Sequence, residues 1–282
     1  MSSAESIRLQ RLRGAAGIFV TAFCAGGVAI ILLLILGYVI REGVGAISFA
    51  FLTQLPHPVG VPGGGVANGI VGSAIIVGIA ALGAIPIGAL TGVYLTYFGR
   101  GAFAGTVRFL SDVLSGIPSI AIGLFAYTLL VAPFGHFSAF SASFAFAILM
   151  LPVIITTTES AIKGVSRELY EAALALGVSR QQAIVRVILP SARSGIITGV
   201  VLAVARVTGE TAPLLFTAFG SQFWELNPNN PMAELSLQVF TYAISPYRSW
   251  HQQAWGGALI LIFVVFFMNL AARLVLKPRL RG

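Results

Sequence analysis

Apolar residues run along this chain in long blocks almost free of charge, not in the alternating or one-sided patterns of a water-exposed fold. Six blocks stand out, at roughly 15–40, 69–98, 110–133, 138–160, 195–219 and 255–276. Each reaches the about 20 residues that a helix, rising about 1.5 Å per residue, needs to cross a hydrocarbon core about 30 Å thick. The pattern predicts an all-α, polytopic membrane protein with six transmembrane helices. Only Phe134 to Phe137 separate the third and fourth blocks, so these form a tight helical hairpin. The run 41–68, with LPHPVGVPGGGVANG, reads as an irregular loop. Pro86, Pro118 and Pro152 fall inside the second, third and fourth spans. Each removes a backbone donor, and so predicts a kink that neighbouring helices must accommodate.

One stretch breaks the pattern. Residues 170–192, YEAALALGVSRQQAIVRVILPSA, are polar and Ala-rich and lie between the fourth and fifth spans. Ser166 is placed to N-cap a helix starting at Arg167, with Glu168 in the positive first turn. Arg167 and Glu171 are four apart and can pair. Gly177 suits the left-handed residue that ends a helix after Leu176. Ser179 and Gln182 offer a capping box for a second helix, which Pro190 ends. Ala172, Ala173 and Leu176 form one narrow apolar stripe; Ala183, Ile184, Val187 and Ile188 form another. Such helices can lie on lipid, cap their own bundle or enter a groove on a partner. The residues alone leave all three open.

Composition fits the bilayer reading. Of 282 residues, 57% are hydrophobic and 9% charged, and mean hydropathy is +0.93; soluble domains carry about 25% charged residues. The net charge of +8 would suit nucleic acid, but its placement argues for topology instead. With the N-terminus inside, fourteen of the seventeen Lys and Arg residues fall on inner segments and two, Arg41 and Arg248, on outer ones. This is the positive-inside bias, and it places both termini in the cytoplasm, with short tails at 1–14 and 277–282. The N-terminus, with Arg8, Arg11 and Arg13, superficially resembles a secretory signal. Residues 14–40 carry no charge, however, and outrun the about 7–15-residue core of a cleaved signal. The one cysteine, Cys24, lies in this apolar run.

Charge inside a span is costly, about 2.5–3.5 kcal/mol for an arginine at a helix centre, and therefore informative. Arg206 and Glu210 fall within the fifth block, four residues apart, with Thr208 and Thr211 beside them. On one helix face near the midplane they would form an ion pair. That pair either locks the bundle or lines an anion pathway, since guanidinium suits bidentate phosphate contact. Asp112 and Glu159, near inner span ends, can neutralise Arg108 or Lys163. His57, His136 and His251 fall on three outer segments, and nothing in their spacing points to a metal site. The only lysines, Lys163 and Lys277, do not belong to a phosphate-cradling G-x-x-x-x-G-K-[ST] loop, and no G-x-S-x-G or H-E-x-x-H motif occurs. An energy source on another chain is therefore expected. An intramembrane enzyme or a self-sufficient channel remains as the alternative from another class.

The polar stretch carries a resemblance. EAALALGVSRQQAIVRVILP resembles the EAA loop of ABC importer permeases, patterned Glu-Ala-Ala, three residues, Gly, nine residues, Ile, one residue, Leu-Pro. Glu171, Ala172, Ala173, Gly177, Leu189 and Pro190 match, and Val187 stands where isoleucine is usual. IPIGALTGVYL (85–95), GIPSIAIGLF (116–125), ILMLPVIITTTESAI (148–162) and ARVTGETAPLLFTAFG (205–220) resemble the phosphate-specific permeases of the PstA type. Ser160 and Ser166 depart from that pattern, where an acidic residue and a proline are more usual. The resemblance covers about residues 65–276 and implies a type-1, MetI-like permease domain, with 165–190 as the loop that docks on an ATPase. It further implies a phosphate importer in a bacterial or archaeal cytoplasmic membrane, with molybdate or sulfate as alternative cargo. Its partners would be a PstC-like second permease, a PstB-like ATP-binding subunit, a PstS-like extracytoplasmic phosphate-binding protein and membrane lipid. ATP and Mg would be used by the partner, with no cofactor in this chain. Arg206, Glu210 and Thr211 are the candidate phosphate pathway.

Overall fold

Within hydrocarbon every backbone donor and acceptor must be satisfied inside its own segment, so long apolar runs become helices. The computed structural model describes residues 3–58, 61 and 63–275. Its helices are α1 (Ser3–Gly43), the short α2 (Phe49–Thr53), α3 (Ala67–Tyr97), α4 (Gly101–Gly116), α5 (Ser119–Phe134) and α6 (Ala139–Lys163), followed by α7 (Arg167–Ala175), α8 (Arg180–Thr208), α9 (Leu235–Ala243) and α10 (Arg248–Val275). Among the described residues, five helices are long and apolar enough to cross a membrane, or six when the bent α4–α5 pair counts as one span. The expected all-helical, polytopic class is found.

α6 is the centre of the bundle. Its most apolar window is 61% buried, against 28% for that of α3 and none of that of α1. Between helices in lipid the hydrophobic drive is weak, and close packing of small residues takes over. α3 presents Gly88 and Gly92 to α6, where an added Cβ would lie 2.8 Å from Ile154 Cγ2 and 2.7 Å from Thr158 Cβ. The Ser143 hydroxyl of α6 donates to the Ile76 carbonyl of α3 at 2.9 Å. Phe146, Met150 and Ile154 fill the core with Ile76, Leu214 and Met232. α1 touches the bundle at its C-terminal end, where Tyr38 meets Trp255 edge-on at 5.2 Å. Its side chains from Ile18 to Ile35 are exposed in the single chain.

The structure corrects several sequence expectations. α1 begins at Ser3, so the helix extends through the segment ahead of the first apolar block instead of starting near residue 15. The loop 41–68 contains α2, N-capped by the Ser48 hydroxyl. The third span is not one kinked helix: α4 and α5 meet at 105°. Proline pushes the residue before it out of helical conformation, and Ile117 accordingly sits at φ −71°, ψ 132°. The hairpin at Phe134–Phe137 forms as expected, with Gly135 left-handed and Ser138 capping α6. The fifth span ends at Thr208, well short of 219, and Ala212–Phe216 follow as a separate 3₁₀ turn. Pro190 does not stop a helix, because α8 runs through it. A π turn over Ile184–Ile188 lets the Leu189 N–H reach the Ile184 carbonyl. The helix in effect restarts at Leu189, and Pro190 falls in a first turn, where its missing donor is harmless. The tail at 277–282, with Lys277, Arg279 and Arg281, lies outside the described residues.

Candidate functional site

The helix, glycine turn, helix sequence at one end of the bundle is built as its residues dictate. α7 starts after Ser166, which stands at the N-cap position but, against expectation, makes no capping bond to the backbone because its hydroxyl turns to Glu168. Arg167 Nε donates to Glu171 Oε1 at 2.9 Å across one exposed turn. The Glu168 carboxyl is held below the usual carboxylate range by its own backbone N–H and then by the Ser166 hydroxyl. Gly177 has φ +81°, its N–H donates to the Leu174 carbonyl at 2.9 Å, and the Val178 N–H reaches the Ala173 carbonyl at 3.4 Å. These two bonds make a Schellman motif, in which a left-handed residue satisfies the last carbonyls of a helix. Ser179 and Gln182 then form the complete capping box that starts α8.

Packing divides the apolar stripes differently from their order in sequence. Ala173 turns inward and is buried, whereas Ala172 and Leu176 face out, Leu176 with 85% of its surface exposed. The outward stripe is therefore Leu169, Ala172 and Leu176, flanked by Glu168 and Glu171. Ala183, Ile184 and Ile188 turn inward; Ile188 joins Ile162 and Ala192 beneath Tyr97 and Tyr170, and Leu189 packs against the same cluster. Pro190 is exposed. The Tyr97 and Tyr170 rings lie 5.0 Å apart, and Arg180 Nε donates to the Tyr170 hydroxyl at 3.4 Å. The second stripe thus caps its own bundle, and the first is left as a supported apolar knob. Behind it, Glu159 receives Arg108 Nη2 at 2.9 Å and Lys163 Nζ at 2.8 Å, joining α4 to the end of α6. Asp112, the other acid expected there, has no ion-pair partner among the described residues.

At the far end of α8, Arg206 sits in the last helical turn, and Glu210 lies beyond the helix terminus at Gly209. The expectation of one shared helix face at mid-span is therefore corrected: the pair marks a chain break. Arg206 Nε and Glu210 Oε1 are 3.9 Å apart, with side chains 44% and 25% exposed in the single chain. Cationic Arg206 suits the negative end of the helix dipole. Thr211 follows directly, and its carbonyl accepts from the Leu214 N–H at the start of the 3₁₀ turn. Thr208 donates back to the Val204 carbonyl at 2.8 Å. His136 and His251 bond to backbone carbonyls near the same end.

Sequence reasoning missed an acid here. Glu234 is fully buried at the N-cap of α9, between the Ser73 hydroxyl at 2.9 Å, the Ser236 hydroxyl at 2.6 Å and the Leu237 N–H at 3.0 Å. Burial pushes its carboxyl up, and these donors oppose that shift. The sequence signal was a lone Glu inside PMAELSLQVF, a mostly apolar run outside the recognised spans.

Residues 84–281 match the family described as "Binding-protein-dependent transport system inner membrane component". Phosphate transport system permease proteins PstA are similar along most of the chain. That of Haemophilus influenzae is 44% identical, covering 87% of this chain and 87% of its own. That of Yersinia pestis is 40% identical over 88% and 84%, and PstA 1 of Mycobacterium tuberculosis 40% over 75% and 70%. Among solved structures, a MetNI methionine ABC transporter chain superposes with TM-score 0.64 at 18% identity, covering 75% of this chain and 94% of its own. A bacterial alginate ABC transporter chain gives TM-score 0.64 at 15% identity over 93% and 96%. These two structures speak for the fold alone. On the family match and the extent of its likeness to the curated relatives, the chain belongs to the inner membrane components of binding-protein-dependent transport systems and, among them, to the PstA permeases.

Proposed function

We propose that this chain is a permease subunit of an ATP-driven importer of inorganic phosphate, and that α7 is the surface through which a separate ATPase drives it. The likeness to PstA permeases carries the phosphate reading. The coupling reading rests on the outward Leu169–Ala172–Leu176 stripe, held on a glycine-terminated helix and backed by packed aromatic rings. Glu171, Ala172, Ala173, Gly177, Leu189 and Pro190 then share the work. Ala172 offers the contact, Glu171 and Gly177 shape the knob, Ala173 and Leu189 seat it on the bundle, and Pro190 begins the restarted part of α8 behind it. A PstB-like subunit supplies ATP and Mg chemistry, and a PstC-like permease completes the pathway. A PstS-like protein delivers phosphate on the side opposite the knob, with both termini of this chain cytoplasmic. Arg206 offsets the charge of the passing anion, with Glu210 as its partner when no anion is there and Thr211 beside them.

The test is Leu176→Asp. An exposed residue tolerates the change in folding, so the permease pair should assemble normally while ATPase retention and phosphate uptake fall together, about tenfold or more. Normal ATPase retention by the variant would remove α7 from the coupling role.

A further inference from the structure

We propose that Ser236 and Glu234 position the Arg206–Glu210 pair, a role that rests on the reading of Arg206 above and extends it to two residues that touch no substrate. The argument begins with the chain break after α8. Glu210 has left the helix: its N–H still reaches the Val207 carbonyl at 3.1 Å, but the Leu214 N–H goes to Thr211 and no i+4 donor meets the Glu210 carbonyl. Its carbonyl is instead met by the Ser236 hydroxyl at 3.1 Å, from the first turn of α9. The same hydroxyl lies 2.6 Å from Glu234 Oε2.

A serine hydroxyl has one hydrogen and lone pairs to accept with. An ionised Glu234 leaves that hydrogen shared between the two acceptors; a protonated one donates to Ser236, which then donates undivided to the Glu210 carbonyl. The surroundings favour that state. The carboxyl is fully buried, and its other neighbours, Ser73 Oγ and the Leu237 N–H, are neutral. Ser73 in turn accepts from the Leu235 N–H at 2.9 Å, fixing the relay to α3. A buried acid thus ties the rigid α3–α9 corner, through one hydroxyl, to the residue that faces Arg206. With the ion pair already at 3.9 Å, small movements of Glu210 decide whether the guanidinium is neutralised or free for an anion.

The experiment compares Ser236→Ala, Arg206→Gln and the double variant in the assembled transporter, reconstituted with its ATPase and binding protein. Uptake is measured against phosphate concentration and expressed per assembled complex. Ser236→Ala removes one buried hydroxyl and should leave assembly intact. The expected result is a Vmax at least fivefold lower with KM within twofold of the parent, and no further loss when the change is added to Arg206→Gln. Ser236→Thr, which keeps the hydroxyl, should restore most of the rate. Unchanged uptake by Ser236→Ala, or losses that multiply in the double variant, would overturn the positioning role while leaving Arg206 in the pathway. Normal uptake by Arg206→Gln would overturn both.

Discussion

Substitution at Gly177 separates turn geometry from surface chemistry. The residue sits at φ +81°, and no atom outside its own turn lies within 4 Å of where a Cβ would stand. A side chain added there meets open space, so its whole cost is conformational. For an L-residue the left-handed region costs about 1–2 kcal/mol, less for asparagine and more for β-branched residues. A shift of that size changes a two-state ratio by roughly 5–30-fold. Losing the turn frees the Leu174 and Ala173 carbonyls and lets α7 swing away from the capped start of α8. We therefore expect Gly177→Asn to resemble the parent, Gly177→Ala to lose several-fold and Gly177→Val to lose more than tenfold. The assays are ATPase retention by the purified permease pair at limiting ATPase and phosphate uptake per complex. If Asn proved as damaging as Val, side-chain bulk at a contact would be responsible and the turn argument would fail.

Two further variants probe the packing behind the knob. Glu159→Ala strands Arg108 and Lys163, whose side chains are 41% and 59% exposed and so re-solvate readily. The loss should be about 1 kcal/mol, seen as a melting point in detergent lowered by a few degrees, with a gap that narrows in high salt; a salt-independent gap would contradict the ion-pair account. Gly199→Ala places a Cβ 2.0 Å from Thr157 Oγ1 and 2.5 Å from Thr157 Cβ, so α8 must move off α6 at about 1–3 kcal/mol. Gly78→Ala, on open space, is the neutral control.

Periodicity and capping chemistry made most of the knob legible: Arg167–Glu171, Gly177 and the Ser179–Gln182 box stand where local rules put them, whereas Ser166 makes no capping bond and Ala173 turns inward. What misled was apolar content. Residues 195–219 read as one span because hydropathy does not register a helix end, yet Gly209 and Pro213 stand four residues apart around Glu210. Pro118 was read as a kink, although it follows a residue that it forces into extended conformation. Pro190 reads as a stop in the sequence because a π turn leaves no mark in composition. The Glu234 relay joins residues more than 150 positions apart, and no local rule reaches that far.

The start of α8, just after the knob-bearing α7, and Arg206 lie toward opposite ends of one helix that carries a π turn at Ile184–Ile188. From Arg180 to Arg206, α8 spans about 39 Å at 1.5 Å per residue, and it leans on α6 where Gly195 meets Ala161 and Gly199 meets Thr157. That contact, one part of a packed face that also includes Ile188, Ala192, Ala203 and Val207, stands about 26 Å from the start of α8 and about 14 Å from Arg206. A stiff helix pivoting there would turn a sideways push of about 2 Å at the start of α8 into about 1 Å at the guanidinium, in the opposite direction. A displacement of that size is a large fraction of the 3.9 Å separating Arg206 from Glu210, whose carbonyl is held to α9 while its N–H bonds back to Val207 of α8. On the coupling role proposed for α7, ATPase closure would thereby shift the Arg206–Glu210 distance without any change in side-chain rotamer. Gly199→Ala checks the lever as well as the packing: with the pivot displaced, uptake per complex should fall while ATPase retention stays at the parent level. A variant that is merely less stable, yet transports at the full rate once assembled, would show that force reaches Arg206 by another route.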